Sequence, residues 1–314
     1  MINFYTVTLI NNKNCIEKCL INLRKLYKNK FHYTIICPSE SCKLFSDLAC
    51  GKNIKVVDED TIIPFSSFKK LAYEISNIIS KTKNIKIKIN DNRLGWYYQQ
   101  VLKLSFLLEE SKNKKTTMID ADTILINKMP FYSGTKSNLF ATDYEKNKYY
   151  WETLNTIFGS EIPFKKWIST TCQINSLTPL ENKFLINKLE EYIPYDKSLT
   201  KAEWISKIII TAVVSTHKKI DSSYFGEQDF IGYFLRLEFG TLPRKILFLR
   251  EKVNFKLTRA QEKISSYLGF KHITYESWLI KDKNKKLPWI NFIYLILFSF
   301  LVPILRKLKQ LIQK

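Results

Sequence analysis

Residues 116–130 read TTMIDADTILINKMP, two apolar runs with Asp120 and Asp122 wedged between them. The β-branched residues on both sides predict buried strand segments. Two carboxylates buried there without partners would cost several kcal/mol, so the strand has to end at them and open into a loop. On an extended chain, residues two apart face the same side. Both carboxylates then converge, as needed to hold a divalent cation together with a phosphate oxygen. The plainer reading is that Asp120 caps a turn and Asp122 is solvated. Placement favours the ligand reading, because ligands of open α/β sheets bind beyond the carboxyl ends of the strands.

The stretches before this point supply the matching architecture. Residues 4–10 read as a buried strand, 15–27 as an amphipathic helix, 31–37 as a strand, 39–48 as a short helix and 54–57 as a third strand. That alternation predicts an α/β fold, with a mostly parallel central sheet flanked by helices. No GxGxxG follows the first strand, which disfavours a dinucleotide site of that type. Farther on, helices are expected over 66–80, 93–110, 180–192, 204–214 and from 227 to about 237. Short strands are expected at 85–89, 139–142, 170–174 and 242–249.

With 314 residues, 45% of them hydrophobic, the chain can bury a large core. Its formal charge of +21 suits an anionic partner such as a nucleotide, a phosphate-bearing substrate or an acidic membrane face. Nucleic acid is not expected, because the lysines are dispersed and no finger, RRM, KH or helix-turn-helix pattern emerges. Five of the six cysteines fall within the first fifty residues, without zinc spacing, and read as reduced.

Ahead of the Asp120–Asp122 strand stands RLGWYYQQVLKL, from Arg93 to Leu104. Tyr97, Val101, Leu104 and Leu108 recur at helical spacing and predict a packing face. Arg93, Tyr97, Gln99 and Gln100 at its start combine a cation, an aromatic ring and two amides able to hold a diphosphate or a sugar. This stretch, followed by Asp-Ala-Asp, resembles a family of bacterial glycosyltransferase-like proteins of the GT-A fold. The resemblance implies a metal-dependent transfer of sugar from a nucleotide diphosphate donor. Asp120 and Asp122 would hold Mn²⁺ or Mg²⁺, a late histidine such as His272 would add a third ligand, and Lys271 would neutralise the diphosphate. Glu227 and Asp229, at a glycine-preceded helix start, would supply the general base, although capping is the blander use of both. Trp151 and Trp167 are further acceptor-contact candidates.

Residues 287–305, LPWINFIYLILFSFLVPIL, carry no charge and are flanked by lysines on both sides. This tail, residues 286–314, is expected to be a membrane-associated helix that spans the bilayer or lies on it, appended to a catalytic domain of residues 1–285. With the resemblance, it implies a lipopolysaccharide, lipooligosaccharide or capsule acceptor at the cytoplasmic face of a bacterial inner membrane. Two rival functions stand beside that one: another Mg²⁺-dependent phosphate-transfer enzyme, and a membrane-bound glycan or lipid-phosphate binding protein without turnover.

Overall fold

The structure is a computed structural model that describes residues 1–28, 30–49, 53–141, 147–159, 162–163, 169–170, 173–247, 249, 257–275 and 286–312, with tail side chains described as far as Leu301. The chain opens with β1 (Ile2–Val7), α1 (Lys13–Tyr27), β2 (Phe31–Cys37), α2 (Ser39–Ser46) and β3 (Ile54–Asp58). After α3 (Phe65–Lys83), β4 (Lys88–Ile89) and α4 (Asp91–Glu110), it runs through β5 (Thr116–Ile119) and β6 (Thr123–Leu125). The short strands β7 (Tyr132–Ser133), β8 (Lys136–Ser137) and β9 (Phe140–Ala141) lead to α5 (Lys148–Phe158) and β10 (Ile174–Leu177). Then come α6 (Pro179–Tyr192), α7 (Lys201–His217), β11 (Lys219–Ile220), α8 (Glu227–Phe239) and β12 (Arg244–Lys245). The remaining elements are α9 (Arg259–Tyr267), β13 (His272–Thr274) and α10 (Trp289–Ile312).

The central sheet has the order β10-β5-β1-β2-β3, and only β10 runs antiparallel to its neighbour. Strand alternation distributes its side chains to two cores. Phe4, Ile119 and Ile174 pack with Ile16, Leu20 and Leu23 of α1, while Tyr5, Val7 and Met118 pack with α4 and α7 on the other face. The expected α/β class and parallel sheet are therefore observed. Among the described residues, the strands expected at 85–89, 139–142 and 242–249 shorten to Lys88–Ile89, Phe140–Ala141 and Arg244–Lys245, and the one expected at 170–174 is a strand from Ile174 to Leu177. Helix α4 is buried on nearly every side, including Gln100, Lys103 and Ser105. It is the central strut under the sheet.

Capping explains where α6 and α7 begin. Thr178 and Glu181, and Thr200 and Glu203, form reciprocal capping boxes that satisfy backbone amides at each start. Cys19, Cys37 and Cys42 are free thiols, as expected, and Cys50 and Cys172 lie outside the described residues.

At the end of β3, half-buried Glu59 has its carboxyl pushed up to about 7, by burial first and then by repulsion from Asp60, Glu40 and Asp58. A raised carboxyl contributes stability that is complete below its unfolded value, ~4.3, and is lost as pH rises through the folded value. Glu59→Gln should therefore raise Tm at about pH 8 and change it little at about pH 4. Equal melting of the two proteins at the higher pH would contradict this.

Among the described residues, no helix is long and apolar enough to cross a membrane. Phe292 of α10, with Leu287 just before it, packs instead in a small core with Leu257, Phe270 and Ile273.

Candidate active site

The sheet order places β1 between β2, which follows it, and β5, which enters much later. Connections thus leave β1 toward one side and β5 toward the other, which opens a crevice at their carboxyl ends, the usual ligand position in such sheets. A cleft of about 340 Å³ lies there. Leu9 and Asn12 after β1, Asp120 and Asp122 after β5, Gln173 before β10, and the start of α8 line it. Trp96, Gln99 and Lys103, spaced along one face of α4, form its floor. Asp120 and Asp122 belong to a tight turn, closed by the Thr123 amide donating to the Asp120 carbonyl at 3.0 Å, and not to an extended strand. Both still line the cleft.

Lys103 is the organising charge. Its Nζ donates to Asp120 Oδ1 at 2.6 Å and to Glu227 Oε1 at 2.7 Å, with only 6% of the side chain exposed. Burial works against its charge, but the carboxylates of Asp120 and Glu227 outweigh that and raise its proton affinity above that of an ordinary lysine. Burial likewise raises Glu227 above the usual carboxylate range; Lys103 opposes the rise and Asp120 adds to it. The α8 start is fixed by the Glu227 amide donating to Gln100 Oε1 at 3.1 Å.

Gln228 carries the same network onward. Its Nε2 donates to Asp120 Oδ2 at 2.8 Å, and its Oε1 accepts the Gln173 amide at 2.9 Å. Gln173 adopts φ 58°, a left-handed backbone uncommon outside glycine, and its carbonyl accepts the Asp120 amide. Asp229 Oδ1 accepts the Thr170 amide at 2.8 Å and the Ser169 hydroxyl at 3.0 Å, which ties α8 to the preceding loop. Gly226 lets the Tyr150 ring close on the helix start, since a Cβ there would lie 2.8 Å from the ring. At Gly232 a Cβ would fall 2.0 Å from Thr170 Oγ1. Gly232→Ala should therefore lower stability by about 1–3 kcal/mol, read from urea unfolding, through this overpacking. A midpoint equal to that of the unsubstituted protein would show that Thr170 can yield.

Several expected site residues are placed elsewhere. Arg93 bonds Ser223, and the Tyr97 hydroxyl donates to the Ser222 carbonyl at 2.8 Å, so both brace the approach to α8 and neither lines the cleft. Gln100 is fully buried and holds the Glu227 amide, so it acts on the site only through α8. His272 is buried on β13 opposite Leu125, and the Lys271 carbonyl accepts the amides of Ile126 and Asn127; both sit at the far end of β6 from the cleft. Trp151 donates to the Ile162 carbonyl at 2.6 Å, and Trp167 lies outside the described residues. Sequence reasoning missed Lys103, Gln228, Gln173 and Trp96. Lys103 stood within LKL of the motif, and its signal was a lysine seven residues after Trp96 on a helix with little polar surface.

Among the described residues, no group of three histidine, cysteine or carboxylate side chains is placed to hold a metal. His272 drops out as third ligand. The cleft lining nevertheless gathers Asp120, Asp122, Glu227 and Asp229, with Lys103 its one basic side chain among the described residues. That hard-oxygen donor set fits Mg²⁺ or Mn²⁺ in the mode that uses one or two carboxylates plus substrate phosphates.

Residues 13–235 match the profile described as "Family of unknown function (DUF6492)". The chain belongs to this family. The DUF6492 match covers α1 through most of α8 and so includes Lys103, Asp120, Asp122 and Glu227. A comparison with curated proteins finds no match. Among solved structures, the DUF6492 chain is similar to the galactosyltransferase LgtC in complex with donor and acceptor sugar analogues. The identity is 11% and the TM-score 0.42, over 87% of each chain. It is also similar to apo mouse xyloside xylosyltransferase 1, at 10% identity and TM-score 0.44, over 88% of this chain and 98% of that one. An active-site mutant of LgtC matches at 11% identity and TM-score 0.45, over 94% and 95%.

Proposed function

We propose that this protein is a glycosyltransferase that moves a sugar from a nucleotide diphosphate donor to a glycan hydroxyl. The observation that carries the reading is the switch-point cleft, where a buried Lys103 binds the first aspartate of the Asp-Ala-Asp turn to Glu227 at the start of α8. The resemblance of Arg93–Leu104 and Asp120–Asp122 to the bacterial GT-A proteins points the same way. Trp96 on the cleft floor and Tyr150 in its lining are aromatic side chains of the kind that pack on a sugar.

In this reading the donor diphosphate lies over the Asp120–Asp122 turn. A bound Mg²⁺ or Mn²⁺, held by Asp122 with Asp120, would supply the positive charge that a carboxylate-rich cleft lacks. Glu227 is the preferred general base, because burial makes it a better proton acceptor than an exposed carboxylate. The acceptor hydroxyl gives its proton to Glu227 as its oxygen bonds the anomeric carbon, and the sugar–phosphate bond breaks with its electrons leaving on the diphosphate. Lys103 holds Glu227 and Asp120 in position. Asp229, engaged with Ser169 and Thr170, holds the neighbouring loop. The acceptor is proposed to be a surface glycan, lipopolysaccharide, lipooligosaccharide or capsule, presented at the cytoplasmic face of a bacterial inner membrane.

The test is release of nucleoside diphosphate from a panel of nucleotide sugars, with Mn²⁺, with Mg²⁺ and with chelator. Hydrolysis of at least one donor, dependent on the cation, is expected. If every donor is neither hydrolysed nor able to raise the melting temperature, the reading is wrong.

A further inference from the structure

On the other side of α1 from the sheet lies a second cleft, of about 660 Å³, between α1 and α9. Lys18 and Lys25 line it from α1, and Arg259 and Lys263 line it from α9. Among the described residues Glu262 is its one acidic lining residue and is paired with Lys18, so the described lining keeps a strong positive excess. Lys25, Arg259 and Lys263 are exposed. Nothing in the proposed sugar chemistry uses them.

Helix α10 is anchored to α9. The Gln261 side chain of α9 donates to the carbonyl of Leu287, just before α10, at 2.9 Å, and Phe270 packs edge-on against Phe300 at 5.7 Å. One face of α10 is therefore anchored through Phe292 and its neighbours. The other is apolar and open. Trp289, Ile290, Ile293, Tyr294, Leu297 and Leu301 are each 50–65% exposed, and they recur every three to four residues along one stripe. A stripe of this extent on a soluble surface marks an interaction site.

We propose that α10 and the basic cleft together form a docking surface for an anionic phospholipid bilayer, with α10 lying in the plane of the interface. Charge complementarity selects this occupant. An apolar helix face with tryptophan and tyrosine, anchored to the α9 helix that carries exposed Arg259 and Lys263, matches acyl chains edged by anionic headgroups. A second copy of this chain would bring the same positive cleft against itself. Geometry also connects this surface to the active-site cleft. Ile126, which lines the basic cleft, and Asp122, which lines the active-site cleft, are the two residues flanking β6. At ~3.3 Å per strand residue, that separation is roughly 13 Å. The docking proposal does not depend on the identity of the reaction.

The test is co-sedimentation of the full chain with vesicles of phosphatidylcholine alone or mixed with phosphatidylglycerol, at low and high salt. Binding to the mixed vesicles, weakened by salt and absent from phosphatidylcholine alone, is expected. The exposed double variants Ile293→Glu with Leu297→Glu, and Lys25→Glu with Lys263→Glu, should each weaken it about ten-fold or more, given ~1 kcal/mol per basic residue near an anionic surface. Unchanged far-ultraviolet dichroism and melting would show that both variants fold. Binding that survives both double variants, or equal binding to neutral vesicles, overturns the proposal. So does a dimer in solution that the α10 variant dissociates while vesicles go unbound. Donor hydrolysis measured on the same variants without vesicles separates failure of docking from failure of the sugar-transfer reading.

Discussion

Lys103→Met is expected to destabilise the fold by roughly 3–5 kcal/mol near neutral pH, the range for removing one partner of a buried ion pair. Lys103 is shared by Asp120 and Glu227, whose side chains are 19% and 4% exposed. Asp120 can recover some hydration and keeps its bond from Gln228. Glu227 cannot, and it already sits above the usual carboxylate range because it is buried. Without Lys103 that shift grows. A folded-state carboxyl raised in this way contributes stability that is complete below its unfolded value and is lost as pH rises through the folded one. The penalty of Lys103→Met should therefore be smaller at about pH 5 than at about pH 8, and Glu227→Gln in the same chain should recover part of it. Urea midpoints at the two pH values measure both effects. A penalty of under about 1 kcal/mol, independent of pH, would mean that the two carboxylates do not rely on the lysine.

The second large effect is on activity. Asp122→Asn should lower cation-dependent donor hydrolysis by on the order of 100-fold or more, since it removes a carboxylate that would hold the cation on the donor diphosphate. Its stability should stay within about 1 kcal/mol, because the residue lies in a partly exposed turn. Asp120→Asn is the contrasting case. It should lose both activity and stability, as it weakens the bond from Lys103. Equal activity of Asp122→Asn and the unsubstituted protein, at saturating cation and donor, would remove Asp122 from the chemistry.

Much of the fold was legible because its signals are local. The alternation of apolar strand and amphipathic helix through residue 58 predicted β1 to β3, and the Thr178-Pro179 pair marked the start of α6. The two-residue strand β11 carries almost no periodic signal, because β4, a partner distant in sequence, imposes its pairing. The same difference runs through the site. Asp120, Asp122 and Glu227 could be singled out as charges beside apolar or turn-forming residues. The directions of Arg93, Tyr97 and Gln100 could not, since they depend on where residues 222–227 return to α4.

By itself, the sequence determined that a strand ends on two aspartates, that the sheet is mostly parallel, and that an apolar tail follows a charged chain. Each follows from hydrophobic period and from the cost of burying charge, both set over a few neighbouring residues. Only the tertiary structure decided what those aspartates meet. A lysine on a helix ordinarily reads as solvated surface, and Lys103 became the centre of the site because α4 is enclosed by the sheet and by α7 and α8. Alternation on β5 sends Met118 to that face and Ile119 to the opposite one, so Asp120 turns toward Lys103. Glu227 arrives there from more than a hundred residues away, a meeting that chain closure sets and no local pattern encodes.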